Sequence, residues 1–182
     1  MSEPTLEDRF HLIGIGGAGM SVVAELLASR GATVEGSDRE DSAVLEHLRS
    51  VGVRVFVGHE ASHVDPDSVV VVSTAIREDN PELAIARTRG QLVIHRSQAL
   101  ALAATGMRFV GVAGAHGKTS TSGMLAIALA ACGLDPSVAV GGVLPQLGTG
   151  AHLGGGLGDG LGDGAGQGDL VTEVEQAVVT FV

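Results

Sequence analysis

Aromatic side chains are nearly missing from this sequence: they make up 2 % of it, with no Trp and no Tyr. Proteins that grip single-stranded nucleic acid stack its bases on aromatic rings, so that mode of binding is excluded. Basic residues are also scarce, 11 against 21 acidic ones, and the formal net charge of -10 argues against a nucleic-acid backbone as partner. A small anionic ligand is still allowed, because a local nest of backbone N–H groups binds phosphate even on an acidic protein. A single cysteine, Cys132, excludes an internal disulfide and fits a reducing cytoplasm. No apolar run is long enough to cross a bilayer, and the polar, acidic start from Met1 to Asp8 lacks a signal-peptide pattern. The expectation is a soluble, cytoplasmic protein whose partners are small molecules, with no nucleic acid and no membrane among them. Hydrophobic residues, at 45 %, are sufficient for a real core.

What is present is an alternation of short Val- and Ile-rich runs with longer helical patterns, the mark of a parallel α/β sheet. Strands are expected at Phe10–Ile15, Thr33–Gly36, Val53–Val57, Val69–Val72 and Leu92–Ile94. Helices are expected at Ala18–Ser29, Ser42–Ser50, from Asn80-Pro81 to Arg89, and at Ser97–Thr105. Gly106 marks a boundary, giving a Rossmann-like first domain over 1–106 and a second domain over 107–182. The second opens with a strand at Phe109–Ala113 and a helix at Thr119–Ala131, followed by a short strand at Ser137–Val140. From Gly141 to Gly168, 13 of 28 residues are glycine. Glycine loses the most backbone entropy on ordering, so the expectation is a mobile loop, with the apolar Val171, Val178, Val179 and Val182 beyond it left without sheet partners. A calcium-binding repeat does not fit, because the aspartate spacing misses the nonapeptide pattern.

Two glycine motifs carry chemistry. Gly14-Ile15-Gly16-Gly17-Ala18-Gly19 satisfies G-x-G-x-x-G between a strand and a helix, where the backbone can approach a pyrophosphate and the helix N-terminus supplies donors. Asp38 follows at the end of the second strand, placed to accept ribose hydroxyls. Alone, the pair says only dinucleotide or nucleotide-sugar. The second motif, Gly114-Ala115-His116-Gly117-Lys118-Thr119-Ser120, resembles a phosphate-binding P-loop within residues 111–120. Lys118 would face the β/γ-phosphates of ATP, and the Thr119 hydroxyl would ligate Mg²⁺. The usual pattern has a glycine where Val112 stands, so the loop departs from the standard form. His116 is best read as shaping the loop.

These residues resemble the Mur ligase family. The opening His11 to Ser21, then Gly36-Ser37-Asp38, Ser73-Thr74-Ala75-Ile76, Asn80-Pro81-Glu82, His95-Arg96 and the loop Gly114 to Ser120 follow its motifs in order, over roughly residues 10–145. Ala115 stands where the family has threonine. The resemblance is nearest to the members that join L-alanine to UDP-N-acetylmuramate in peptidoglycan precursor synthesis. It implies that Gly16, Gly17, Ala18, Gly19, Met20, Ser21, Asp38, Ser73, Thr74, Ala75 and Ile76 hold the uridine diphosphate part of the substrate. It further implies that Gly114 to Ser120 hold ATP, that Lys118 is catalytic, and that Glu173, on a stretch partly matching the family's acidic run, is a second Mg²⁺ ligand. The expected fold is a Rossmann-like parallel sheet followed by the beginning of a P-loop-type α/β ATPase domain. Because family members run well over twice this length, the chain is expected to be catalytically incomplete alone. Two alternatives remain: an NAD(P)-binding Rossmann oxidoreductase, for which a G-K-T loop has no use, and a non-catalytic nucleotide-sugar-binding module.

Overall fold

Four unbroken valines, Val69 to Val72, form an interior strand of the first sheet, where both faces are covered and no polar alternation is needed. The computed structural model describes residues 3–106, 108–146, 149–152, 154 and 169–173. They form two compact units, Met1–Ala103 and Ala104–Val182. In chain order the first unit runs β1 (Arg9–Ile13), α1 (Ala18–Ser29), β2 (Thr33–Asp38), α2 (Ala43–Ser50), β3 (Arg54–Val57), β4 (Val69–Val72), α3 (Pro81–Thr88), β5 (Val93–His95) and α4 (Arg96–Ala103), with a 3₁₀ turn at Ala61–His63. Its strands are all parallel and ordered β3-β2-β1-β4-β5. The chain therefore leaves β1 in one direction for β2 and β3 and returns to its other side for β4 and β5. A ligand crevice is expected at that reversal, outside the strand C-termini.

Local signals place these elements. Asn80 caps α3, its Oδ1 accepting the N–H groups of Glu82 at 2.9 Å and Leu83 at 3.2 Å, with Pro81 in the first turn. Helix α1 ends at Gly31, whose φ of 86° is open to glycine, and the Ala32 N–H turns back to the Leu27 carbonyl at 3.1 Å. On one face of the sheet Ile13, Val64, Val70, Leu83 and Ala86 form a buried cluster; α1 packs against α2 and α4.

The second unit contains β6 (Arg108–Val112), α5 (Lys118–Ala131), β7 (Ser137–Leu144), β8 (Thr149–His152) and β9 (Asp169–Glu173), in a sheet ordered β6-β9-β7-β8. Two expectations are corrected here. The stretch from Gly141 is not all loop: β7 continues through it to Leu144 and pairs antiparallel with β8, the register shifting between Ala139 and Leu144. Glycines within a strand commonly accompany such an irregularity, and Gly141-Gly142 fall within it. Nor does Val171 lack partners, since β9 lies between two parallel neighbours and sets Val171 against Val110 and Val138. Residues 155–168 and the expected strand beyond Glu173, with Val178, Val179 and Val182, lie outside the described residues. Gly123 on α5 lets the helix approach β7: a Cβ there would meet Leu144 Cδ2 at 2.6 Å. No helix among the described residues is long and apolar enough to cross a membrane.

Candidate functional site

The glycine turn leaves β1 at the reversal point and enters α1 without a side-chain cap, since Gly17 is the cap residue. An uncapped helix start offers N–H donors and positive potential to an anion. Two consecutive residues of β2 hold the turn. The Ser37 carbonyl accepts the N–H groups of Gly14 at 2.8 Å and Ile15 at 2.9 Å, and Asp38 Oδ2 accepts that of Gly16 at 2.8 Å. Asp38 Oδ1 meanwhile accepts the Arg39 N–H at 2.7 Å. The aspartate read from sequence as a ribose acceptor is thus also the brace of the turn.

A cleft of about 540 Å³ opens over this arrangement. Of the residues expected to hold the uridine diphosphate part, Gly16, Gly17, Gly19, Met20, Asp38, Ser73, Ala75 and Ile76 line it. Ser21 is buried at 5 % exposure, Thr74 is exposed in the loop after β4, and Ala18 opens α1. Ser73 to Ile76 closes as a turn, the Ile76 N–H reaching the Ser73 carbonyl at 3.1 Å. Sequence reasoning left Arg96, Ser42, Glu40 and Asp41 out of the site, yet all four line the cleft. Arg96 stands at the start of α4 with its guanidinium over Gly19, where any Cβ would run into it. The dipeptide His95-Arg96 following a buried strand was the available signal. Arg96 brings a fixed positive charge beside the helix start, the combination a diphosphate requires.

Behind the turn, between the sheet and α3, lies a buried ionic cluster. His11 is fully buried, its Nδ1 3.6 Å from Glu35 and its Nε2 3.5 Å from Glu82. Burial by itself pulls His11 down, but the two carboxylates outweigh it and hold the imidazole above its ordinary value. Burial likewise pushes Glu82 up, and His11, Ser37 and His59 outweigh it, keeping the carboxyl below the usual range. His63 stacks on Phe56 with ring centroids 4.3 Å apart.

In the second unit the loop between β6 and α5 places Gly117 at the helix start with φ 78°, a left-handed conformation that favours glycine. Lys118 begins α5, and its Nζ donates to the Gly114 carbonyl at 2.8 Å, so the ammonium lies across its own loop. Thr119 follows, half-buried; Ala115, His116 and Ser120 are exposed. Glu173 ends β9 level with Val112, the last residue of β6 before the loop. The sheet therefore brings an acidic position to the strand edge beside the G-K-T loop, where a cation on a nucleotide phosphate would need one.

A family model described as "Mur ligase family, catalytic domain" matches residues 9–108. The chain is similar to the UDP-N-acetylmuramate–L-alanine ligase of Streptomyces coelicolor, 54 % identical over 154 residues that cover 84 % of this chain and 33 % of that protein. It is similar also to that of Renibacterium salmoninarum, 52 % identical over 148 residues, 81 % of this chain and 32 % of that one. Among solved structures it resembles the UDP-N-acetylmuramate-alanine ligase MurC from Thermotoga maritima, with a TM-score of 0.75 and 30 % identity over 92 % of this chain and 37 % of that one. A second likeness is to the UDP-N-acetylmuramate:L-alanyl-gamma-D-glutamyl-meso-diaminopimelate ligase from Neisseria meningitides, TM-score 0.76 and 28 % identity over 92 % of this chain and 52 % of that one. The chain spans about a third of the length of the curated relatives it matches.

Proposed function

The chain belongs to the Mur ligase family, and from that premise we propose that it binds UDP-N-acetylmuramate in its first unit and the phosphates of ATP in its second, serving a ligase that adds L-alanine. The substrate-binding domain would occupy 1–106 and the ATP-binding part 107–182. The observation that carries the proposal is the pairing, in one chain, of a braced glycine turn under a cleft with a second glycine loop whose lysine and threonine open a helix. A nicotinamide-dependent oxidoreductase is set aside, because the family match covers the glycine turn itself and the second loop has no role in hydride transfer.

In the first unit the α1 start and Arg96 would take the diphosphate, and the rim formed by Asp38, Glu40 and Asp41 would take donors on the ribose and base. In the second, Lys118 would leave the Gly114 carbonyl for the β/γ-phosphates. The residues fit a divalent cation: Thr119 follows the lysine on α5, and Glu173 sits level with the end of β6. Bound there by Thr119 and Glu173, Mg²⁺ would offset charge on the transferred phosphoryl group. A carboxylate is a poor electrophile. Transfer of the γ-phosphoryl group to the lactyl carboxylate would break the β–γ bond of ATP, release ADP and give an acyl phosphate; the amine of L-alanine would then displace inorganic phosphate and lose a proton to form the amide. The single exposed thiol, Cys132, suits a cytoplasmic setting.

Calorimetric titration of the chain with UDP-N-acetylmuramate, ATP–Mg²⁺ and NAD tests this. Saturable binding of the first two is expected. Binding of NAD alone would overturn the assignment, and binding of the sugar nucleotide without ATP would reduce the chain to a binding module.

A further inference from the structure

Glu82 is a fully buried carboxylate that touches no part of the cleft. It lies in the first turn of α3 and meets four other segments of the chain. Ser37 Oγ donates to its Oε2 at 2.5 Å, and the same oxygen lies 3.4 Å from His59 Nδ1 and 3.5 Å from His11 Nε2. Its Oε1 lies 3.2 Å from His63 Nδ1 and accepts the Glu60 N–H at 3.3 Å. Among the described residues no group of three or more His, Cys, Asp or Glu is arranged to hold a metal ion. As a way of filling space, a buried charge is expensive; apolar side chains of equal volume are often as stable or more so.

What the charge holds is the strand end that shapes the glycine turn. Ser37 gives its hydroxyl to Glu82 and its carbonyl to the N–H groups of Gly14 and Ile15, and its neighbour Asp38 takes the N–H of Gly16. Three successive donors of the turn are thus fixed by two successive residues of β2, and Glu82 anchors the first of them. His59 Nδ1, 2.9 Å from Ser37 Oγ, closes the same contact from the loop after β3. We propose that Glu82 is a positioning residue for nucleotide-sugar binding: through Ser37 it fixes the end of β2 that keeps the Gly14–Gly16 turn in its ligand-accepting shape. The proposal rests on the ligand assignment above only for the identity of the ligand.

The test is amide hydrogen exchange of the ligand-free chain, read residue by residue. In Glu82→Leu, exchange at Gly14, Ile15 and Gly16 is expected to speed up about tenfold more than at Val34 and Leu12, strand positions that report overall stability. Glu82→Gln, which keeps an acceptor for Ser37 Oγ, should recover most of that difference. Ser37→Ala, a gentler change should the leucine variant fail to fold, should reproduce it. The affinity of Ser37→Ala for UDP-N-acetylmuramate should fall about tenfold. Exchange that rises equally at the turn and at the strand positions, or not at all, would overturn the inference whatever the ligand does. Failure of the wild-type chain to bind UDP-N-acetylmuramate would instead count against the ligand assignment, because the exchange comparison needs no ligand.

Discussion

The glycine turn of the first unit is held open by its neighbours, whereas the loop of the second is closed on itself. In the first, a carbonyl and a carboxylate of β2 take up three N–H groups before any ligand arrives, and the cleft above is formed. In the second, the cation that should meet phosphate rests on the Gly114 carbonyl of its own loop. Preorganisation removes part of the ordering cost from the binding step, while a self-closed loop leaves that cost to the ligand. The difference predicts a first site that reads its ligand rigidly and a second that changes shape on binding.

The sharpest way to break the comparison is Lys118→Ala. Hydrogen bonds to charged groups contribute roughly 1.5–3 kcal/mol each, so ATP affinity should fall by about a hundredfold with sugar-nucleotide affinity within twofold, both read by calorimetry. Asp38→Ala should do the reverse. Loss of the Gly16 brace should weaken UDP-N-acetylmuramate by roughly thirtyfold and leave ATP binding unchanged. Gly19→Ala places a methyl where the Arg96 guanidinium lies; the flexible arginine swings aside at little cost in stability, and UDP-N-acetylmuramate affinity should fall about tenfold by calorimetry as that charge leaves the helix start.

A subtler test uses pH. Because the folded protein holds His11 above its ordinary value, the stability it contributes is complete below that ordinary value and is lost as pH rises through the raised one. Glu82 is held low, so its contribution is present above the ordinary carboxylate value and disappears as pH falls through the depressed one. The cluster should therefore support the first unit best between these limits. Arg9 and Arg54 beside Glu35, and His59 and His63 beside Glu82, face the same groups. In His11→Gln, denaturation series should lose the decline on the alkaline side, and that on the acid side should weaken without vanishing, since Ser37 and His59 still favour the Glu82 carboxylate. At the small end, Cys132→Ser on the exposed end of α5 should change stability by no more than about 0.5 kcal/mol and neither affinity.

Much of the first unit could be read from residues alone, because each signal there is local. The valine run at Val69–Val72, the Asn80-Pro81 cap and the glycine motif before α1 act within a few positions of themselves. The second unit hides its strands. β9 owes its place to β6 and β7, far back in the chain, and β8 lies within a glycine-rich stretch that reads as a loop until its pairing with β7 is seen. The site divides in the same way. Gly16, Asp38 and Ser73 belong to the elements that flank the reversal and were legible. Arg96 enters from α4 through the space that Gly19 leaves; His95-Arg96 was visible as a motif, but its meeting with Gly19 is a matter of tertiary packing. Glu82 was visible as part of a motif but not as a buried charge, since nothing in Asn80-Pro81-Glu82 announces what will cover it.

The position of β9 between β6 and β7 also bears on how the protein is made. During synthesis β6, α5 and β7 leave the ribosome well before residues 169–173, so the two strands that will flank β9 must wait with facing edges unsatisfied. Insertion of a late central strand raises the loop-closure cost of the nucleus and slows folding, while open edges invite pairing with other chains. A nascent chain arrested before Asp169 should therefore leave its first unit protease-resistant and its second readily cut, and resistance of both would show that β6 and β7 settle without their middle partner.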